Sequence, residues 1–116
     1  MGLILIADTD QYACEWLGMH LEMQGHEAIT TSSGIDAIGK LERYSPDALV
    51  TEIKLPMRSG FEVVKHAASL RRTIPVACVM LTGFATAAEH LRAKQLGALD
   101  LIEKPAHPSS LIARIE

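Results

Sequence analysis

The stretch ALVTEIKLPMRSG, residues 48–60, decides how this chain is read. Ala48 to Thr51 form a short apolar run, the single carboxylate of Glu52 closes it, and Pro56 and Gly60 mark the loop beyond. A run with so little polar alternation suits a strand covered on both faces, as in a parallel sheet. Four other runs share that character: Leu3 to Ala7, Ala28 to Thr31, Val76 to Leu81 and Leu99 to Ile102, each bounded by Gly, Pro, Asp or Ser.

Helical patterns fill the intervals. Ala13, Trp16, Leu17, His20 and Leu21 make one apolar stripe that ends at Gly25. Ser33 opens a second helix with Ala37, Ile38 and Leu41, which stops before Ser45 and Pro46. Ser59 and Gly60 open a third, carrying Phe61, Val64, Ala67 and Leu70 and broken by Pro75. Ala87 to Leu96 form a fourth, anchored by Ala88 and Leu91 and stopped by Gly97; a fifth begins after Pro108 with Leu111, Ile112 and Ile115. The sequence stops inside that last pattern, so the fifth helix is expected to be cut short.

Composition narrows the function classes. A length of 116 residues makes one domain, residues 1–116, and 48% hydrophobic with 22% charged residues is an ordinary folded composition. The net charge is -3, and the basic residues are scattered apart from Arg71 and Arg72, so this domain is not expected to grip nucleic acid. Cys14 and Cys78 lack the spacing of a disulfide framework or a zinc site and read as reduced, buried fillers. The apolar start LILIA is too short for a signal peptide or a membrane helix, and a cytoplasmic location is expected.

Strand and helix alternating five times predicts an α/β fold, a doubly wound five-stranded parallel sheet, since parallel strands need right-handed crossovers. Ligands of such sheets sit beyond the C-terminal strand edge. The residues there are Asp8, Glu52, Thr82 and Lys104, with Thr9, Asp10 and Gly83 beside them.

LILIADTD, PDALVTEIKLPMRSGFEVV, IPVACVMLTGF and GALDLIEKP, in that order and spacing, resemble the CheY-like receiver domain of two-component response regulators over essentially the whole chain. The resemblance implies the flavodoxin-like strand order 2-1-3-4-5. It also implies phosphoryl transfer from a histidine kinase to an aspartate at the end of the third strand. A magnesium ion and a lysine would neutralise the charge there. Carried over, the acidic pair falls on Asp8 and Thr9, the phosphoacceptor on Glu52, the carbonyl metal ligand on Lys54, the hydroxyl on Thr82, and the lysine on Lys104, whose bond to Pro105 is typically cis in that family.

Three positions depart from the pattern: Thr9 replaces an acid, Glu52 replaces the phosphoacceptor aspartate, and Leu101 occupies the aromatic switch position. Magnesium needs near-octahedral oxygens at about 2.0–2.1 Å, so its binding is expected to be weak at best, with Asp8, Glu52, the Lys54 carbonyl and Asp10 as candidate ligands. No other cofactor is expected. Glu52 reaches further than Asp by one carbon–carbon bond, about 1.5 Å, which aims it at Lys104 and Thr82 and predicts a Glu52–Lys104 ion pair. Asp10 reads first as the N-cap of the first helix and second as a metal acid. Thr82 before Gly83 reads either as turn chemistry or as a pocket hydroxyl, the pocket being preferred. His20, His26, His66, His90 and His107 lack metal-pair spacing and read as surface or core-edge residues.

The expected function is a degenerate receiver, or pseudo-receiver: a signalling and protein-interaction module, not an enzyme, working without the usual aspartyl phosphorylation. Its expected partners are a histidine kinase, an output domain or a second copy in a homodimer, met through helix 4, strand 5 and helix 5 at Leu91, Lys94, Leu101 and Ile112. One alternative is magnesium-dependent phosphorylation at Glu52 with Asp8 and Asp10 as metal ligands. Another is a small enzyme or flavin carrier on the same fold.

Overall fold

The computed structural model describes residues 2–116. Five strands alternate with five helices: β1 (Leu3–Ala7), α1 (Gln11–Met23), β2 (Glu27–Thr31), α2 (Gly34–Tyr44), β3 (Ala48–Glu52), α3 (Gly60–Ser69), β4 (Ala77–Thr82), α4 (Ala87–Gln95), β5 (Asp100–Glu103) and α5 (Pro108–Ile115). The strands form one sheet in the order β2-β1-β3-β4-β5, and every pairing is parallel. Glu52 is thus the last residue of β3, opposite Leu81.

Helices on both faces explain why the three central strands β1, β3 and β4 are apolar almost throughout, while the edge strands β2 and β5 carry polar residues. Alternate side chains of β1 divide between two cores: Leu5 and Ala7 pack with residues of α2, α3 and α4, whereas Ile4 and Ile6 pack with α1 and α5. The helix entries are fixed by side chains. Ser33 caps α2, while Ser59 with Glu62 and Thr86 with Glu89 form capping boxes at α3 and α4. Cys14 and Cys78 are free and buried.

Two stripes fall differently from the sequence pattern. In α1 the inward residues are Cys14, Leu17, Gly18 and Leu21, while Trp16 turns outward, 47% exposed, edge-on to His20 with ring centroids 5.0 Å apart. The small Gly18 faces Ala28 and Ile6, where a side chain would fill the gap, and this rotation carries the bulky indole off the sheet. In α4 the buried anchor is Ala93; Ala88 and Leu91 are exposed, because the helix phase set by its capping box turns them outward. His26 is buried rather than peripheral: the Gly2 amide donates to its Nδ1 at 3.2 Å, and Glu116 Oε2 lies 3.1 Å from its Nε2.

The β3–α3 loop folds back tightly beneath Glu52. The Gly60 amide donates to the Ile53 carbonyl at 2.8 Å, and a Cβ on Gly60 would collide with the Glu52 carbonyl oxygen. A methyl group added at Gly39, mid-helix on α2, would meet nothing within 4 Å. Gly60→Ala is therefore expected to destabilise the domain by roughly 2 kcal/mol or more in urea unfolding, whereas Gly39→Ala gains up to about 1 kcal/mol.

Candidate functional site

Each residue of the site is held by a ladder that continues one step past its strand. The Asp8 amide donates to the Thr31 carbonyl at 3.1 Å, Ile53 to Leu81 at 2.9 Å, and Lys104 to Thr82 at 2.7 Å. These bonds fix Asp8, Glu52 and Lys104 at the C-terminal edge of three different strands. The Lys104–Pro105 peptide bond is cis.

Lys104 stands between two carboxylates. Its Nζ lies 2.7 Å from Asp8 Oδ2 and 3.0 Å from Glu52 Oε2. The other oxygen of Glu52 accepts two bonds from Thr9, from the amide at 2.7 Å and from the hydroxyl at 2.5 Å. Asp8 Oδ1 accepts from the Asp10 amide at 2.8 Å. All four carboxylate oxygens of Asp8 and Glu52 are therefore engaged within the protein.

Electrostatics separates the two acids. Burial pushes the Asp8 carboxyl above the usual aspartate range, outweighing its bonds from Lys104 and the Asp10 amide. Burial acts upward on Glu52 too, but the Thr9 bonds and the Lys104 ammonium hold it below the usual glutamate range. Lys104 is held above its ordinary value: burial opposes this, and the two carboxylates outweigh burial. The two acids are thus shifted in opposite directions within the same lysine-centred cluster. Beneath the site, burial raises the Cys14 thiol to about 11, so it is not a nucleophile at neutral pH.

Asp10 caps α1, accepting from the Tyr12 amide at 3.0 Å and the Ala13 amide at 3.3 Å. Glu52 meets Lys104 but not Thr82, whose hydroxyl donates to the Phe84 carbonyl at 3.2 Å in the turn after β4. Thr82 and Lys54 instead line an adjoining crevice of about 380 Å³ beside Glu52. Leu101 is buried, 5% exposed, in the core that contains Ala93, so it contributes nothing to an outer docking face. Ile112 is half-buried against the other core, while Leu91 is 57% exposed. Thr9, placed in the pocket from the sequence in the position of an acid, supplies the donor pair that holds Glu52, and that donor role is what the sequence did not show. The signal was its hydroxyl beside a carboxylate that was one methylene longer than the pattern.

The geometry can be set beside known proteins. A family profile described as response regulator receiver domain matches residues 4–116. The chain is similar to the alkaline phosphatase synthesis transcriptional regulatory protein PhoP of Bacillus subtilis, 32% identical over 113 residues that cover 97% of this chain and 46% of that protein. It is equally similar to the phosphate regulon transcriptional regulatory protein PhoB of Escherichia coli, 32% identical over 115 residues, 97% of this chain and 49% of that one. The chain thus spans about half the length of these relatives. A CheY-like receiver domain protein of Methanospirillum hungatei superposes with a TM-score of 0.90 at 28% identity, covering 99% of this chain and 90% of the other.

The Thr9–Glu52 bonds have a pH signature. Because the folded Glu52 pKa lies below its ordinary 4.5, its contribution to stability is present above that pH and is lost as pH falls through the lower folded value. Thr9→Ala removes the hydroxyl bond and should cost about 1–2 kcal/mol at neutral pH. In urea titrations across pH the gap between the two proteins is expected to close below the folded Glu52 pKa.

Proposed function

Because the chain belongs to the response regulator receiver domain family of two-component systems, we propose that it is a receiver whose phosphorylation site has become an internal ion-pair lock. The observation that carries this reading is the Lys104 ammonium, bonded at once to Asp8 and Glu52. The lysine that would meet an incoming phosphoryl group is already neutralised, and Glu52 occupies the space between it and Thr9. A carboxylate held by an ammonium and two donors is a poor nucleophile, since its attack breaks three charge-assisted hydrogen bonds.

The donor set does not fit a magnesium ion. Asp8 spends both oxygens on Lys104 and the Asp10 amide, Glu52 spends both on Lys104 and Thr9, and Asp10 caps a helix. Among the described residues no three His, Cys, Asp or Glu side chains are grouped to hold a metal.

On this reading the domain acts by binding proteins and not as an enzyme, in the cytoplasm, with a kinase, an output domain or a second copy as partner. Exposed Leu91 and Leu99 of the α4–β5 region, with Lys94 between them, are the apolar and basic contacts it would offer. Among the described residues no helix is long and apolar enough to cross a membrane.

Incubation with a small acyl phosphate and magnesium, followed by intact mass measurement, tests the proposal. No gain in mass is expected. A phosphoryl adduct that disappears in Glu52→Ala overturns the reading in favour of a working acceptor. The double change Thr9→Asp with Glu52→Asp removes the threonine hydroxyl from the lock, shortens the acceptor and is expected to give magnesium-dependent phosphorylation.

A further inference from the structure

The outward turn of Trp16 leaves a cavity of about 410 Å³ between α1, the edge of the sheet and the loop after β5. Its walls are the apolar side chains of Ala13, Trp16, Leu17, Leu81, Pro105 and Leu111. At its end beside the C-terminus of β1 stand the buried Asp8, the exposed Asp10 and Lys104. This size, and a mainly apolar wall ending in a few convergent polar groups, is the form of a small-molecule site; such sites span about 300–1,000 Å³.

The charges at that end select the ligand. Lys104, the cation lining the cavity, is already paired with Asp8 and Glu52. Asp10 makes both of its capping bonds through Oδ1, which leaves Oδ2 for a ligand. Helix α1 contains no lysine or arginine, and Glu15 adds a further negative charge to it. An anion would meet an excess of carboxylate, whereas a cation meets an acceptor beside an apolar wall.

We propose that this cavity binds a small amphipathic cation, its flat apolar body against Trp16 and its ammonium or amidinium group at Asp10. A ligand seated there lies next to the Asp8–Lys104 pair, and a charge placed at that end weakens or strengthens Lys104's hold on Glu52. It supplies a differential interaction that a two-state domain without phosphorylation needs. That regulatory consequence rests on the receiver reading above; the binding itself does not.

Trp16 is the only tryptophan of the chain, so its fluorescence reports on the cavity directly. The probe is phenethylamine, with hydrocinnamate and phenethyl alcohol as anionic and neutral compounds of the same shape, in the absence of phosphodonor and magnesium. A saturable Trp16 signal is expected with phenethylamine, together with amide NMR shifts at Ala13, Trp16 and Ala106. Hydrocinnamate should leave both unmoved. Asp10→Asn, which keeps the helix cap because Asn caps as well as Asp, should weaken phenethylamine about fivefold. No saturable signal up to millimolar probe, equal binding of hydrocinnamate, or unchanged affinity in Asp10→Asn overturns the proposal. A Trp16 signal that moves with protein concentration alone places a second copy in the groove and overturns it as well. Failure here leaves the mass measurement on Glu52 unaffected, so the two readings fail separately.

Discussion

One ammonium shared by two carboxylates governs the upper edge of this sheet. Asp8 is almost wholly buried, and a buried charge without a partner costs several kcal/mol, about 3–5 when one member of a pair is removed. Lys104 is the partner, and it is brought there by β5, at the far side of the sheet from β1 with β3 and β4 between. The pair therefore clamps the strand order from above. Glu52 joins from β3 in the middle, and Thr9 closes the ring back onto β1. Asp8, Lys104, Glu52 and Thr9 thus make one continuous hydrogen-bond circuit across the edge of the sheet.

The circuit is asymmetric, which bears on how the domain could change state. Asp8 and Glu52 compete for the same cation, with burial raising one acid and Thr9 lowering the other. A competitor for either carboxylate therefore shifts Lys104 toward the other. Leu101 cannot relay such a shift by swinging between core and solvent as an exposed ring would, since it is buried against Ala93 and packs as an aliphatic side chain. The neighbouring β4–α4 turn is held by side chains at both ends: the Thr82 hydroxyl bonds the Phe84 carbonyl and Glu103 accepts from the Ala85 amide at 3.2 Å.

Most of the architecture was legible because the central strands β1, β3 and β4 are apolar on both sides and the helices begin or end at recognisable caps. Asp10, Ser33 and Ser59 were readable for this reason. The Glu52–Lys104 pair was also legible, from the placement of both residues at the strand edge and the extra methylene of Glu52 relative to the aspartate that the resemblance implies there. Rotation of helices was not: the pattern of α1 carries apolar residues on more than one face, and the inward set is Cys14, Leu17, Gly18 and Leu21 while Trp16 and Met19 are exposed. Thr82 combines the two readings a hydroxyl before glycine allows: it bonds the Phe84 carbonyl in the turn and also lines the crevice beside Glu52. The donor role of Thr9 was not legible because a substitution reads as the loss of a charge before it reads as the gain of a donor.

The buried His26 has a topological side. It holds the Gly2 amide on one ring nitrogen and meets the Glu116 carboxylate on the other, so the first and last described residues lie against the same imidazole. The described polypeptide is nearly a closed loop at the bottom of the sheet, opposite the acidic edge. A circularly permuted domain, joined there by a few residues and opened in an exposed turn, would keep all four strand pairings and the Lys104 circuit. The order in which the strands are synthesised is separable from the order in which they pair.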